Sequence, residues 1–339
     1  MTRGLDNLPQ PPAQASPTPA ARRGAVIDVG TNSVKLLVAD VCGGEVTPVT
    51  EASHQTRLGE GLYRLHLLQP KAIARTVEAV ADFAQQAKQL GATAVRVYAT
   101  SAAREADNGE ELISAVKEAT GLMLEIISAE TEAEWAFQGV LSQRGFSGQD
   151  LLLLDLGGGS AQWIVGSGGH ARFQASYPLG CVRWLEKMHL SDPPSPKEKE
   201  ECHKRLQTFL QAAVCPAVQP HFTAACKWVA VGGTATILGR MELGMTDFDR
   251  ERLDSLRLPA ARLLYWRDYL WAMPLNQRRQ VPGLPANRAD VILMGTAIFV
   301  AVMEVFGFKE LCLSTRGPRF GALLDMLRKG DESGAEVFF

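Results

Sequence analysis

The chain lacks the cysteine and histidine patterns of metal and redox sites. Its six cysteines form no C-x-x-C pair, and its six histidines form no H-E-x-x-H arrangement. This spacing excludes zinc-binding modules and thioredoxin-like redox motifs. A chain of this length does not depend on disulfides for stability, so the cysteines are interpreted as buried free thiols in a reducing compartment.

A charge excess and a long apolar run are also missing. The formal net charge is −2, which argues against bulk electrostatic binding to nucleic acid. The longest apolar run, Val291 to Met303, is shorter than the roughly 20 residues of a membrane-spanning helix. Residues 1–22 have no apolar centre of the kind found in secretory signals. A cytoplasmic, soluble protein with no membrane or nucleic-acid partner is predicted.

What is present is an alternation of apolar strand patterns with helical patterns, which is typical of α/β proteins. Residues 1–22 are rich in proline and are predicted to form a disordered N-terminal tail. The rest is predicted to divide into a first domain at 23–143, a second domain at 144–317 and a C-terminal tail at 331–339. A closing helix at 318–330 is expected to pack back on the first domain.

One structural unit occurs twice along the chain. An apolar strand ends in Asp28, a polar turn follows, and a second strand begins at Val34. The same order recurs where an apolar strand ends in Asp155 and is followed by a glycine-rich turn. The turns consist of Gly30, Thr31, Asn32 and Ser33 in the first unit, and Gly157, Gly158, Gly159 and Ser160 in the second. The repetition predicts two related domains, with a ligand in the cleft between them.

The composition of these turns suits an anion. Glycine lets backbone amides approach phosphate oxygens, and the hydroxyl and amide side chains can donate to them. Asp28 and Asp155 are candidate magnesium ligands, because hard cations prefer carboxylate oxygens. A third turn, Gly232-Gly233-Thr234, precedes a helix and offers free amides at the positive end of its dipole. Each turn taken alone is also compatible with an ordinary hairpin, loop or helix start.

These motifs resemble those of the exopolyphosphatase/guanosine pentaphosphate phosphohydrolase (Ppx/GppA) family. The stretches that carry the resemblance are Asp28–Leu36, Arg57–Leu62, Ala99–Asn108, Asp155–Ser160, Leu179–Arg183, Val231–Thr234, Asn287–Ile292 and Ser314–Gly321. The resemblance implies an α/β fold of two ribonuclease H-like (actin-like ATPase, ASKHA) domains with an interdomain active-site cleft. It also implies a short form of the family without the additional C-terminal helical domain.

The resemblance places the catalytic base on Glu132. In the family, a glutamate at the interdomain hinge deprotonates the attacking water, and the matching stretch here is Ile127 to Ala133. Without the resemblance, Glu132 would be interpreted as an acidic residue in the first turn of a helix, where its charge interacts favourably with the helix dipole. Glu130 and Glu134 are interpreted in this way.

Further phosphate contacts are assigned to basic and polar side chains inside the matching stretches. They are Lys35, Arg57, Ser101, Arg104 and Arg319. Arginine suits bidentate contact with phosphate, although each of the four basic residues can also be an ordinary surface charge.

One position departs from the family pattern. An acid usually follows the glycine run shortly afterwards, whereas this chain has Gln162. An amide can donate and accept hydrogen bonds but brings no negative charge, so weaker Mg²⁺ binding and slower turnover are expected.

The predicted function is Mg²⁺-dependent release of terminal orthophosphate from inorganic polyphosphate, or of the 5′ γ-phosphate from guanosine pentaphosphate. The alternatives are a sugar or acetate kinase of the same superfamily, for which no acceptor site is recognisable, and a polyphosphate or (p)ppGpp sensor with little or no turnover. A homodimer is expected from the resemblance alone.

Overall fold

The computed structural model describes residues 21–223 and 225–333, which form two β-sheets with helices packed against them. The strands are β1 (Arg22–Val29), β2 (Val34–Cys42), β3 (Glu45–His54), β4 (Ala94–Ala99), β5 (Leu124–Ile126), β6 (Leu151–Leu156), β7 (Ala161–Ser167), β8 (His170–Tyr177), β9 (Lys227–Val231), β10 (Arg257–Pro259) and β11 (Glu310–Leu313).

The two sheets share one strand order. The first runs β3-β2-β1-β4-β5, with β1 antiparallel to β2 and parallel to β4. The second runs β8-β7-β6-β9-β11-β10, with β6 antiparallel to β7 and parallel to β9. The hairpins β1–β2 and β6–β7 are therefore equivalent, and each carries one of the repeated acid-and-turn units. Lobe I denotes the first sheet and lobe II the second, each with its helices.

The helices connect and cover these sheets. They are α1 (Leu62–Leu65), α2 (Pro70–Gln89), α3 (Ser101–Glu105), α4 (Gly109–Thr120), α5 (Ala129–Leu141), α6 (Cys181–Met188), α7 (Pro196–Phe209), α8 (Cys215–Val218), α9 (Gly233–Glu242), α10 (Arg250–Ser255), α11 (Ala260–Trp271), α12 (Leu275–Arg278), α13 (Ile292–Phe306) and α14 (Pro318–Ser333). A π-helical turn at Leu210–Val214 and 3₁₀ turns at Gln219–His221 and Ala286–Arg288 complete the set.

Local sequence signals account for several helix boundaries. Helix α7 begins with a capping box, since the Ser195 hydroxyl accepts from the Glu198 amide while the Glu198 carboxylate accepts from the Ser195 amide. Helix α4 ends at Gly121, whose φ of 72° is a left-handed conformation that glycine adopts without strain.

The apolar run noted in the sequence lies in α13, at the centre of lobe II. Its residues from Ile292 to Met303 are all buried, and α13 packs against α7 and α11. A helix that is apolar on every side is stable in water only when it is enclosed in this way. No helix in the described part of the chain combines the length and apolar character needed to cross a membrane.

Helices α5 and α14 join the two lobes. Helix α14 packs on β1, β2 and β4 of lobe I, whereas α5 packs on β6, β7 and β8 of lobe II. The two helices touch through glycines: a Cβ on Gly139 would lie 2.2 Å from the Gly317 carbonyl oxygen, and one on Gly321 would lie 2.1 Å from that of Trp135. Trp135 belongs to the core beneath α14, while Phe137 belongs to the core of lobe II. Helix α5 is therefore shared between two hydrophobic cores.

The chain ends differ slightly from expectation. The predicted tails 1–22 and 331–339 lie mostly outside the described residues. Within the described part, Arg22 is the first residue of β1, and α14 continues past its predicted end to Ser333.

Candidate active site

A cavity of about 690 Å³ opens between the lobes at the ends of the equivalent hairpins. Most of the sequence-predicted site residues line it. They are Asp28, Gly30, Thr31, Asn32, Ser33, Lys35, Ser101, Glu132, Asp155, Gly157, Gly158, Gly159, Ser160, Gly232, Gly233, Thr234 and Arg319. The two repeated units, far apart in sequence, thus face one space.

Asp28 and Asp155 are buried at the ends of β1 and β6. Burial raises the pKa of Asp28, and it raises the pKa of Asp155 to about 6, where the negative charge of Asp28 adds to the effect. Lys35 opposes both shifts, while its own pKa is lowered by burial. Two carboxylates held in a poorly solvated cavity create a strong local preference for a cation.

The two hairpins differ at one equivalent position. Lys35 lies opposite Asp28 across the β1–β2 ladder, and Gln162 lies opposite Asp155 across the β6–β7 ladder. The Gln162 amide donates to Ser160 Oγ at 2.9 Å and to Ser176 Oγ at 3.3 Å. Gln162 does not line the cavity but is hydrogen-bonded to Ser160, the last residue of the glycine turn, which does.

The two turns, Gly30–Ser33 and Gly157–Ser160, have the same internal geometry. The Gly30 amide donates to the Ser33 carbonyl at 3.1 Å, and the Gly157 amide donates to the Ser160 carbonyl at 3.0 Å. Asn32 Oδ1 accepts from the Gln55 amide at 3.2 Å. Within the described residues, the buried Asn32 Nδ2 has no hydrogen-bond partner. An unsatisfied buried donor is costly, and an anion in the cavity would satisfy it.

The glycine turn of lobe II is pressed against lobe I, and the absence of side chains makes this contact possible. A Cβ on Gly159 would lie 2.2 Å from Tyr63 Oη and 2.3 Å from Ser101 Oγ. Arg183 fixes the turn from the other side, since its Nε donates to the Gly159 carbonyl at 2.6 Å and its guanidinium lies 3.9 Å from the Tyr63 ring centroid. It also pairs with Glu105 of lobe I.

The third turn begins helix α9. Gly232 has a φ of 93°, and a Cβ there would lie 2.8 Å from Asp155 Oδ1, so glycine is required on both counts. Arg288, which sequence reasoning did not assign, lines the cavity nearby and donates to Ser33 Oγ at 2.6 Å.

Glu132 lies in the first turn of α5, after the cap formed by Ser128, whose hydroxyl accepts from the Thr131 amide. Its carboxylate is buried against the cavity and accepts from both terminal nitrogens of Arg104 at 3.2 Å. Burial raises the pKa of Glu132 to about 8, with Asp155 and Asp28 adding to the shift and Arg104 opposing it. A carboxyl group with this pKa can take up a proton near neutral pH.

The cations of the cavity are only partly those expected from sequence. Arg57 and Arg104 do not line it: Arg57 pairs with Asp290 at 2.8 Å across the lobes, and Arg104 pairs with Glu132. Their assignment to phosphate contacts stays a prediction. Charged lining residues that sequence reasoning missed are Glu51, Arg240, Arg250 and Arg288.

The sequence model of the Ppx/GppA phosphatase family matches residues 37–330 of the chain. The chain belongs to this family. Exopolyphosphatase 2 of Mycobacterium tuberculosis is 34% identical to it over 290 residues, covering 82% of this chain and 89% of the relative.

Solved structures of Ppx/GppA relatives extend the comparison. The Aquifex aeolicus PPX-GPPA enzyme is 28% identical, with a TM-score of 0.74 over 90% of this chain and all of that one. An exopolyphosphatase from Cytophaga hutchinsonii, at 23% identity, shares the fold with a TM-score of 0.82 over 94% of this chain and 100% of that one. The predicted fold, α/β with two actin-like domains, is confirmed.

Proposed function

We propose that this member of the Ppx/GppA family releases terminal orthophosphate from inorganic polyphosphate in an Mg²⁺-dependent reaction. The observation that carries the proposal is the convergence of two equivalent acid-and-turn units on one cavity that also contains the buried Glu132. The unsatisfied Asn32 donor and the clustered glycine amides favour a polyanionic ligand.

The metal assignment fits the donor set. Among residues 21–223 and 225–333, no three acidic, histidine or cysteine side chains are grouped so that they could hold a metal ion by themselves. Mg²⁺ is commonly held by one or two carboxylates together with substrate phosphates, which is the set that Asp28, Asp155 and a bound polyanion would supply. When bound, the cation neutralises charge on the phosphate oxygens.

Glu132 is the proposed base. As the water oxygen bonds to the terminal phosphorus, the bridging P–O bond breaks and its electron pair stays with the leaving phosphate. The water proton passes to the Glu132 carboxylate, whose orientation is fixed by Arg104. Lys35 and the amides of the two turns stabilise charge on the transferred phosphoryl group.

One other substrate and one other function are compatible with this site. The 5′ γ-phosphate of guanosine pentaphosphate is attached by the same kind of anhydride bond, and its release is proposed as a second activity of the same site. The neutral Gln162 beside the glycine turn favours the third possibility, a sensor that binds the polyanion with little turnover.

Phosphate release is the direct test. Purified protein is expected to release orthophosphate from polyphosphate with Mg²⁺ present, and to lose this activity in excess EDTA, because the charge of Asp28, Asp155 and substrate then goes uncompensated. Guanosine pentaphosphate, and ATP with sugars or acetate, are assayed in parallel. Micromolar polyphosphate binding without release supports the sensor, and transfer from ATP to an acceptor supports a kinase.

The substitution Gln162→Glu tests the departure from the family pattern. An acid opposite Asp155 adds negative charge beside the cation site, so the Mg²⁺ concentration for half-maximal activity is expected to fall at least about tenfold. Gln174→Glu, an exposed change on neighbouring β8, is the matched control. An unchanged Mg²⁺ requirement in Gln162→Glu contradicts the role given to this position.

A further inference from the structure

Glu51 is an acidic side chain in an otherwise cationic part of the cavity. It projects from β3 of lobe I, a strand not anticipated from sequence, and pairs with two arginines. Arg319, at the start of α14, donates to Glu51 Oε2 at 2.9 Å, and Arg250, in α10 of lobe II, pairs with Oε1. All three residues line the cavity, and each side chain is only about one-fifth exposed, at 17–18%.

Arg319 connects this cluster to the reacting end of the cavity. Its second terminal nitrogen donates at 2.6 Å to the carbonyl of Leu36, the residue that follows Lys35. Lys35 in turn lies opposite Asp28 across the β1–β2 ladder. Lys35, Arg319 and Arg250 therefore form a continuous series of cations that begins beside Asp28.

Arg250 lies at the outer end of this series. Its guanidinium lies near two rings: the ring centroid of the buried Phe320 is 5.0 Å away, and that of Phe248, which is 49% exposed and lines the cavity, is 5.4 Å away. Val49, 38% exposed, lines the cavity from the lobe I side. The series thus runs from the buried acids towards solvent, which is the direction that a long substrate must take.

We propose that Arg319 and Arg250 form a binding subsite for the internal phosphate units of a polyphosphate chain, and that Glu51 occupies this subsite until the chain displaces it. The inference rests on the proposed function, because it assigns the distal part of the same substrate. In each guanidinium one terminal nitrogen, Nη2, is directed at Glu51, while Nη1 donates to the Leu36 carbonyl in Arg319 and to Thr315 Oγ1 in Arg250. Guanidinium nitrogens bind carboxylate and phosphate alike, so Glu51 and a phosphate unit compete for the two Nη2 donors.

The Glu51 carboxylate has two effects, one without substrate and one on substrate binding. It satisfies two partly buried cations when substrate is absent, which avoids the cost of unpaired buried charge. It also lowers affinity for long chains, because each chain must break the Glu51 contacts before it gains the arginine contacts. A substrate too short to reach Arg250 escapes this competition.

The experiment compares KM for long-chain polyphosphate and for tripolyphosphate in the wild type and in Glu51→Gln. The ratio of KM for tripolyphosphate to KM for the long chain is expected to rise about tenfold, since two freed charge-assisted contacts contribute to long-chain binding alone. Glu45→Gln is the matched control, because Glu45 begins the same strand and its ion pair is with the exposed Arg144. An unchanged ratio in Glu51→Gln overturns the proposal.

A second variant covers the case in which Glu51→Gln folds poorly. Arg250→Met is expected to raise KM for the long chain while leaving KM for tripolyphosphate near its wild-type value. In the double variant Glu51→Gln/Arg250→Met, the rise in the KM ratio caused by Glu51→Gln is expected to be smaller than in the wild-type background. If Glu51 serves only to hold the two lobes together, Glu51→Gln and Arg250→Met lower kcat for both substrates alike, and this result overturns the proposal. Wild-type protein that releases no phosphate from either substrate contradicts the proposed function instead.

Discussion

Replacing Glu132 by glutamine is expected to reduce phosphate release by a factor of about 10² to 10⁴, while polyphosphate binding remains. The amide preserves the shape of the side chain and can still accept from Arg104, but it cannot take the proton from water. Steady-state phosphate release and equilibrium binding of polyphosphate, measured on the same preparation, check the two halves of this expectation. Glu134→Gln, an exposed change on the same helix, is the control.

The same variant has a stability readout that depends on pH. In the folded protein the pKa of Glu132 is about 8, above the ordinary value of 4.5, so the folded state holds a proton that the unfolded chain releases. Stability of the metal-free wild type is therefore lost as pH rises from about 4.5 to about 8, and the neutral amide of Glu132→Gln carries no such penalty. The melting temperature of Glu132→Gln relative to the wild type should rise across this window and level off above it.

Turnover of Glu132→Gln equal to that of the wild type would mean that another group is the base.

Adding a single methyl group at Gly180 is expected to lower activity about a hundredfold, because a misplacement of about 1 Å at a reacting centre has an effect of this size. The Cβ of Gly180→Ala would lie 2.3 Å from the Gly158 carbonyl oxygen and 2.3 Å from the Gly159 carbonyl carbon. These are backbone atoms, so the clash cannot be relieved by rotating a side chain. The glycine turn of lobe II must therefore move, and overpacking of this kind also costs about 1–3 kcal/mol of stability.

The measurements for Gly180→Ala are phosphate release and thermal unfolding. Gly317→Ala is a suitable control for stability, because its Cβ would meet nothing closer than Val231 at 3.8 Å. Activity of Gly180→Ala near the wild-type level would show that the turn does not need its present position.

The repeated units could be predicted from sequence because each is local. Asp28 and its turn lie within one hairpin, and so do Asp155 and its turn. Strand composition therefore reveals the acid of each unit, and glycine and polar content reveal its turn. The resemblance to a known family then supplied Glu132, which its own helix pattern did not distinguish from neighbouring acids.

The parts that sequence reasoning missed are edges and long-range contacts. Strands β3 and β8 are the outermost strands of their sheets, and most of their residues are exposed or half-buried, so they lack a clear apolar pattern. Strand β10 has only three residues. Glu51 meets Arg250 from 199 positions away, and Arg288 meets Ser33 from 255 positions away. No local periodicity encodes such pairs, since they arise only when the lobes come together.

Helix α5 makes the position of the proposed base depend on both lobes. Trp135 is packed into one core and Phe137 into the other, and Glu132 lies on the preceding turn of the same helix. A rotation of one lobe must therefore turn this helix against at least one core, and the carboxylate moves with it. With Glu132 as the proposed base, a movement that opens the cleft would also displace its carboxylate, so a polyphosphate exposed by this opening would meet solvent water without an aligned base.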